Sequence, residues 1–121
     1  VFGGNQIRPN IHINDLSKVY CHFIRNPDLS SGAYNAGFEN LSVASIAQMV
    51  QKRTGAKLEV LESNDPRSYR QDSAKLLASG FRPTLGVSAA VDEIILALKS
   101  GEVEDRDEWY TVEWMKRVGV V

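Results

Sequence analysis

Arg8 and Arg67 are the two positions of this chain best placed by type to do chemistry. A guanidinium is planar and offers paired N–H groups that grip phosphate oxygens two at a time. Arg8 belongs to a strand-like run, and Arg67 lies in the polar stretch Asp65-Pro66-Arg67-Ser68-Tyr69-Arg70. Brought together from distant parts of the chain, they would make a clamp for a diphosphate. The plainer alternative is two surface arginines with packed stems and solvated heads. Nearby positions extend the idea. Asn5 and Gln6 have the amides to hydrogen-bond a sugar hydroxyl, and Tyr69 can stack on a base or ribose or simply pack on its own loop.

Other reactive types read as structure. His12 alternates with Ile11 and Ile13, so it faces away from them, and no nucleophile accompanies it. Asp15 is expected to cap a helix. Asp72 and Lys75 are expected to cap and ion-pair across a short helix. Trp109, Tyr110 and Trp114 are expected to cover core.

The elements that must position these groups follow from apolar spacing. Ile7 to Ile13 is a short β-branched run ended by Asn14-Asp15. Leu16, Val19, Tyr20, Phe23 and Ile24 share a helical face that Asn26-Pro27-Asp28 terminates. Ala33 to Gly37 reads as a brief strand. Ser42 caps a second helix, which carries Val43, Ile46, Ala47 and Val50 on one face and stops at Thr54-Gly55. Lys57 to Leu61 alternates like a strand, and Glu62 to Arg70 is a loop. A short helix runs from Asp72 or Ser73 to Gly80, a longer one from about Val87 to Lys99, and a last weak one from Trp109 to Val118. The expected class is α/β: a small mixed domain of three to four helices with short strands.

Composition narrows the function. The chain has 121 residues, 43% of them apolar, which suits one domain spanning 1–121. A net charge of −1 disfavours nucleic acid or an anionic membrane held by bulk electrostatics. No apolar run approaches the roughly 20 residues that span a bilayer. The single cysteine, Cys21, makes no internal disulfide and fits a reducing cytoplasm.

Several motifs carry a resemblance. Gly4-Asn5-Gln6-Ile7-Arg8-Pro9 followed by Ile11-His12-Ile13-Asn14-Asp15 resembles the "R-P-F-I-H-V-x-D" segment of NAD-dependent nucleotide-sugar epimerases and dehydratases, the extended short-chain dehydrogenase/reductase family. Tyr34-Asn35-Ala36-Gly37 is similar to its "Y-N-x-G" strand, and Leu41-Ser42-Val43 with Ile46-Ala47 to its "x-S-V-x-E-I-A" helix start. Asp65 to Lys75, then Gly80-Phe81-Arg82-Pro83, resembles "D-x-R-x-Y-x-x-D-x-S-K … L-G-F-x-P". The motifs keep their order over about residues 3 to 98.

In that family the first motif lies past mid-chain. The resemblance therefore implies the C-terminal, substrate-binding lobe of a Rossmann-type enzyme, with the dinucleotide-binding domain absent from this chain. It also implies that Arg8 and Arg67 touch the pyrophosphate of a nucleotide-diphosphate sugar, with Gln6, Asn5 and Tyr69 around them. The parent would use NAD or NADP, would be cytoplasmic, and would form a homodimer.

Two positions depart from the family pattern: Asn10 stands where an aromatic is usual, and Ser45 where Glu is usual. The chain has no glycine-rich dinucleotide fingerprint and no Tyr-x-x-x-Lys pair. Alone it is expected to bind no cofactor and to catalyse nothing. A non-catalytic regulatory relative that binds a nucleotide or a partner is the rival expectation, with a free-standing interaction domain behind it.

Overall fold

The computed structural model describes residues 1–63 and 65–120. Strand β1 (Ile7–Asn10) leads into helix α1 (Ile13–Arg25). After an irregular stretch come β2 (Glu39–Ser42) and α2 (Val43–Thr54), then α3 (Ala74–Ala78), α4 (Val87–Ser100), a 3₁₀ turn (Asp107–Trp109) and α5 (Thr111–Arg117). The fold is a small mixed α/β domain. Among the described residues it has five α-helices rather than three to four, because the short α3 and α5 both form. No described helix is long and apolar enough to cross a membrane.

The two strands pair antiparallel, Ile7 opposite Ser42 and Asn10 opposite Glu39. Backbone bonds from Phe38 N–H to the Asn10 carbonyl (3.0 Å), Val43 N–H to Gln6 (3.0 Å) and Ala44 N–H to Gly4 (2.9 Å) carry the pairing past both ends. The other edge of β1 is covered by the loop containing Arg67. Ile7 N–H donates to the Ser68 hydroxyl (3.0 Å), and Tyr69 N–H donates to the Ile7 carbonyl (3.0 Å). The Asn40 amide pins the far end of that loop, donating to the Gln71 carbonyl (3.0 Å) and accepting from its N–H (2.9 Å). An otherwise open strand edge is thereby satisfied by a loop.

Local chemistry accounts for the helix ends. Ser42 accepts from Ser45 N–H (3.0 Å), and their hydroxyls pair at 2.7 Å, so Ser45 supports the cap without the acid usual at a capping box. Gly55 closes α2 in the left-handed region, φ 72°, where a Cβ would be strained. The cap of α1 is His12, whose Nδ1 accepts from Asn14 N–H (3.2 Å). Its Nε2 therefore carries the proton that faces Glu93 (3.1 Å), and the ring is structural.

Asp15 is not the cap the sequence suggested. It lies inside the first turn of α1 and is fully buried. Its Oδ2 accepts from the N–H groups of Thr84 (2.6 Å) and Leu85 (2.8 Å), and its Oδ1 from the Thr84 hydroxyl (2.8 Å) and Lys18 Nζ (3.0 Å). Burial alone would raise its pKa. The Leu85 N–H, Lys18 and Thr84 outweigh that and hold it well below the usual carboxylate range. The carboxylate thus ties α1 to the turn before α4. Glu39, at the start of β2, accepts from the first N–H of α4 at Val87 and completes the join.

The core is Val19, Leu76 and Phe81, with Ile11, Phe23, Tyr34, Ala36 and Phe38 packed against it. Phe23 meets Tyr34 edge-on at 4.7 Å, and Phe38 stacks on Phe81 at 5.7 Å. Ala33 to Gly37 enters this core without forming the expected strand. Its polar groups bond to side chains and loop carbonyls instead of a ladder. Gly37 exchanges bonds with the buried Ser73 hydroxyl (3.1 and 3.0 Å), and Asn35 donates to the Asp72 carbonyl (3.1 Å). A Cβ on Gly37 would stand 2.8 Å from the Pro9 Cβ, so the close approach of this segment to β1 requires glycine.

Three further expectations change. Among the described residues Lys57 to Leu61 keeps only one parallel bridge, Phe2 with Leu61. The expected Asp72–Lys75 pair does not form. Asp72 accepts from Ala74 N–H (2.8 Å), while Lys75 reaches the Ala33 carbonyl (3.1 Å) and sits 4.0 Å over the Tyr34 ring. Trp109 and Tyr110 are about half exposed and do not cover core; Tyr110 instead donates to Asp105 (3.0 Å), and Arg117 sits over the Trp114 ring.

Candidate functional site

Because the loop lies along β1, Arg67 comes to lie beside Arg8, and both guanidinium groups turn to one acceptor, the Asp65 carboxylate. Arg67 grips it with both prongs: Nε donates to Oδ1 (2.7 Å) and Nη2 to Oδ2 (2.9 Å). The Arg67 backbone N–H adds a third bond to Oδ1 (3.1 Å), an Asx-type turn that fixes the carboxylate on its own loop. Arg8 Nη2 donates to Oδ2 at 3.3 Å. Its Nη1 is held by the Arg67 carbonyl (2.6 Å) and the Ile7 carbonyl (3.0 Å), and the Tyr69 ring lies 5.1 Å from its guanidinium carbon.

Electrostatics follow from this. The Arg67 side-chain bond, then the Arg67 backbone N–H, hold the Asp65 pKa down to about 2 against desolvation, with the Arg67 and Arg8 charges assisting. Asp65 in turn raises the Arg67 pKa further above its ordinary value. Two cations share one anion, so the cluster carries an excess positive charge. The Arg67 side chain is 68% exposed.

A hollow of about 320 Å³ adjoins Asp65, lined by Gly3, Asn5, Gln6, Ser63, Asp65, Pro66 and Ser68. Gln6 stands at its wall. Its Oε1 accepts from Gly4 N–H (2.6 Å), while among the described residues its Nε2 makes only long contacts, to the Asp65 carbonyl (3.3 Å), the Phe2 carbonyl (3.4 Å) and the Ser63 hydroxyl (3.5 Å). Asn5 is exposed at the rim. Of the five residues singled out from sequence, Arg8, Arg67 and Tyr69 cluster, and Gln6 and Asn5 line the adjoining hollow. Sequence reasoning missed Asp65, Ser63 and Ser68 as members. The signal available for Asp65 was an acid two residues before an arginine in a proline-bearing loop, an Asx-turn pattern.

A larger cleft, about 450 Å³, lies elsewhere. Leu16, Val19, Phe23, Leu29 and Tyr34 line it with a polar rim that includes Asn26 and Ser30, and none of the expected site residues borders it. Among the described residues no group of three His, Cys, Asp or Glu gathers to hold a metal ion.

The α1 and α2 starts, at His12 and Ser42, lack the glycine-rich dinucleotide turn, and α4, which follows Gly86, already has Glu39 bonded to its first N–H. No protein-family model matches the chain.

Proposed function

We propose that this chain is the nucleotide-sugar-binding part of an NAD(P)-dependent sugar-nucleotide epimerase or dehydratase, a substrate lobe of a Rossmann-type enzyme that clamps the substrate's diphosphate. One observation carries the reading: Arg8 and Arg67, from β1 and a distant loop, aim their guanidinium groups at one oxyanion beside a polar hollow. A carboxylate and a phosphate present similar paired oxygens to a guanidinium, so the cluster is shaped for the second as well as the first.

In this reading the two arginines take the diphosphate, the Tyr69 ring backs the Arg8 head and offers a face to base or ribose, and Gln6 and Asn5 address hydroxyls in the hollow. Binding there orients the substrate; the chemistry and the nicotinamide cofactor belong to the parent's other part. The motifs around Arg8 and Arg67, which resemble the extended short-chain dehydrogenase/reductase family, support the same assignment.

The test is a titration of uridine diphosphate, as a generic nucleoside diphosphate, into the ¹⁵N-labelled chain. The reading expects amide shifts clustered at residues 5–8 and 65–70, lost in Arg67→Ala. Shifts centred on the α1 cleft and indifferent to Arg67→Ala would reject it.

A further inference from the structure

Among the described residues both side-chain hydrogen bonds of Arg67, and the one Arg8 side-chain bond that does not go to a main-chain carbonyl, end on Asp65. The clamp therefore already holds an anion of its own. The geometry points to Asp65 as a built-in competitor: its carboxylate occupies the diphosphate position, and an incoming phosphate must take the guanidinium groups from it. This rests on the diphosphate-clamp reading above and adds how the affinity of that site is set.

Three features favour competition over mere support. First, Arg8 does not need Asp65 to keep its pose. Two carbonyls fix Nη1 and the Tyr69 ring backs the guanidinium, while the bond to Asp65 is its longest at 3.3 Å. Second, Arg67 is bent back onto a residue only two positions earlier. Its stem is exposed, so release from Asp65 leaves the head free to swing to a ligand. Third, Asp65 also borders the hollow that would take the sugar, so its negative charge stays beside a diphosphate sugar bound across clamp and hollow. A like charge about 5 Å away in water-exposed surroundings lowers the affinity of a singly charged group about fourfold, and more for a more highly charged one.

The substitution Asp65→Asn removes the charge and keeps an oxygen for the Arg67 backbone N–H, so the turn survives. Asp65→Ser keeps a turn acceptor by a different route and guards against a defect peculiar to asparagine. Inorganic pyrophosphate is titrated into wild type, Asp65→Asn, Asp65→Ser and Arg67→Ala, with dispersed amide spectra required of each. The proposal expects both Asp65 variants to bind about fivefold more tightly, with a steeper loss of affinity on adding salt, because one more uncompensated cation is engaged.

Equal or weaker binding by both variants, with Arg67→Ala still losing it, overturns the competitor role and leaves the clamp standing. Absence of any Arg67-dependent, saturable binding in wild type and in both Asp65 variants overturns the clamp reading and the competitor with it.

Discussion

Replacing Asp15 by asparagine tests whether a buried charge ties the halves of the fold together. Four donors converge on this carboxylate: the N–H groups of Thr84 and Leu85, the Thr84 hydroxyl and Lys18 Nζ. The two backbone donors cannot turn away, so an asparagine must present its oxygen to them and its NH₂ to the hydroxyl and the ammonium. The hydroxyl can reverse and accept. The ammonium cannot, but it is half exposed and keeps a bond to the Thr84 Oγ1 (2.6 Å).

Three bonds thus survive in neutral form, each about 1 kcal/mol weaker than its charge-assisted version, a loss of roughly 3 kcal/mol, to which the lost half-exposed Lys18 pair adds up to about 1 kcal/mol. Relief from burying a charge returns part of this, leaving a destabilisation of about 2 kcal/mol. Urea unfolding near neutral pH reads it as a lower midpoint at unchanged slope.

The pH dependence has a definite sign. The folded pKa of Asp15 is depressed, so the unfolded chain binds the proton more readily, and the charge contributes in full only above the unfolded value of about 3.9. The gap between wild type and Asp15→Asn should narrow as pH falls below about 4. A variant as stable as wild type at neutral pH, or a gap that widens in acid, would refute the reasoning, because desolvation would then outweigh the four bonds.

Other outcomes are expected from the same contacts. Leu76→Ala empties a fully buried aliphatic position of a small core and should cost about 2–5 kcal/mol in denaturant unfolding. Ser73→Ala removes the hydroxyl that serves both polar groups of Gly37, leaving a buried N–H unpaired, and should cost about 1–3 kcal/mol in the same assay. Ser68→Ala withdraws the acceptor of Ile7 N–H, freeing the loop that carries Arg67; amide exchange at Ile7 and Tyr69 should speed up while exchange in α2 stays unchanged. Tyr69→Leu keeps apolar bulk but removes the aromatic face under Arg8, and should weaken nucleoside diphosphate binding about threefold without unfolding the domain.

Much of the scaffold was legible in the residues because its signals are local. The stop at Asn26-Pro27, the Ser42 cap, the Gly55 terminus and the span of α4 each follow from a residue type acting within one turn of its own position. The misread features are those decided by partners far along the chain. Ala33 to Gly37 has strand-like composition, but a single serine hydroxyl replaces the ladder. Asp15 sits where a cap would be expected, yet His12 takes that role and Asp15 faces a turn about seventy residues away.

The candidate site divides in the same way. Arg8 and Arg67 stand out by type, and their shared loop–strand contact follows from Ser68 and Tyr69 binding the edge of β1. That one carboxylate would join them was not apparent, since the sequence places Asp65 only within a polar loop.

The central claim is that two guanidinium groups converge to hold one diphosphate. Isothermal titration of uridine diphosphate against wild type, Arg8→Ala and Arg67→Ala, at constant low ionic strength, addresses it most directly. One-site binding in wild type that either alanine reduces by at least about tenfold, as expected when a charge-assisted phosphate contact is removed, is the predicted result. Binding that both alanine variants retain in full would contradict it.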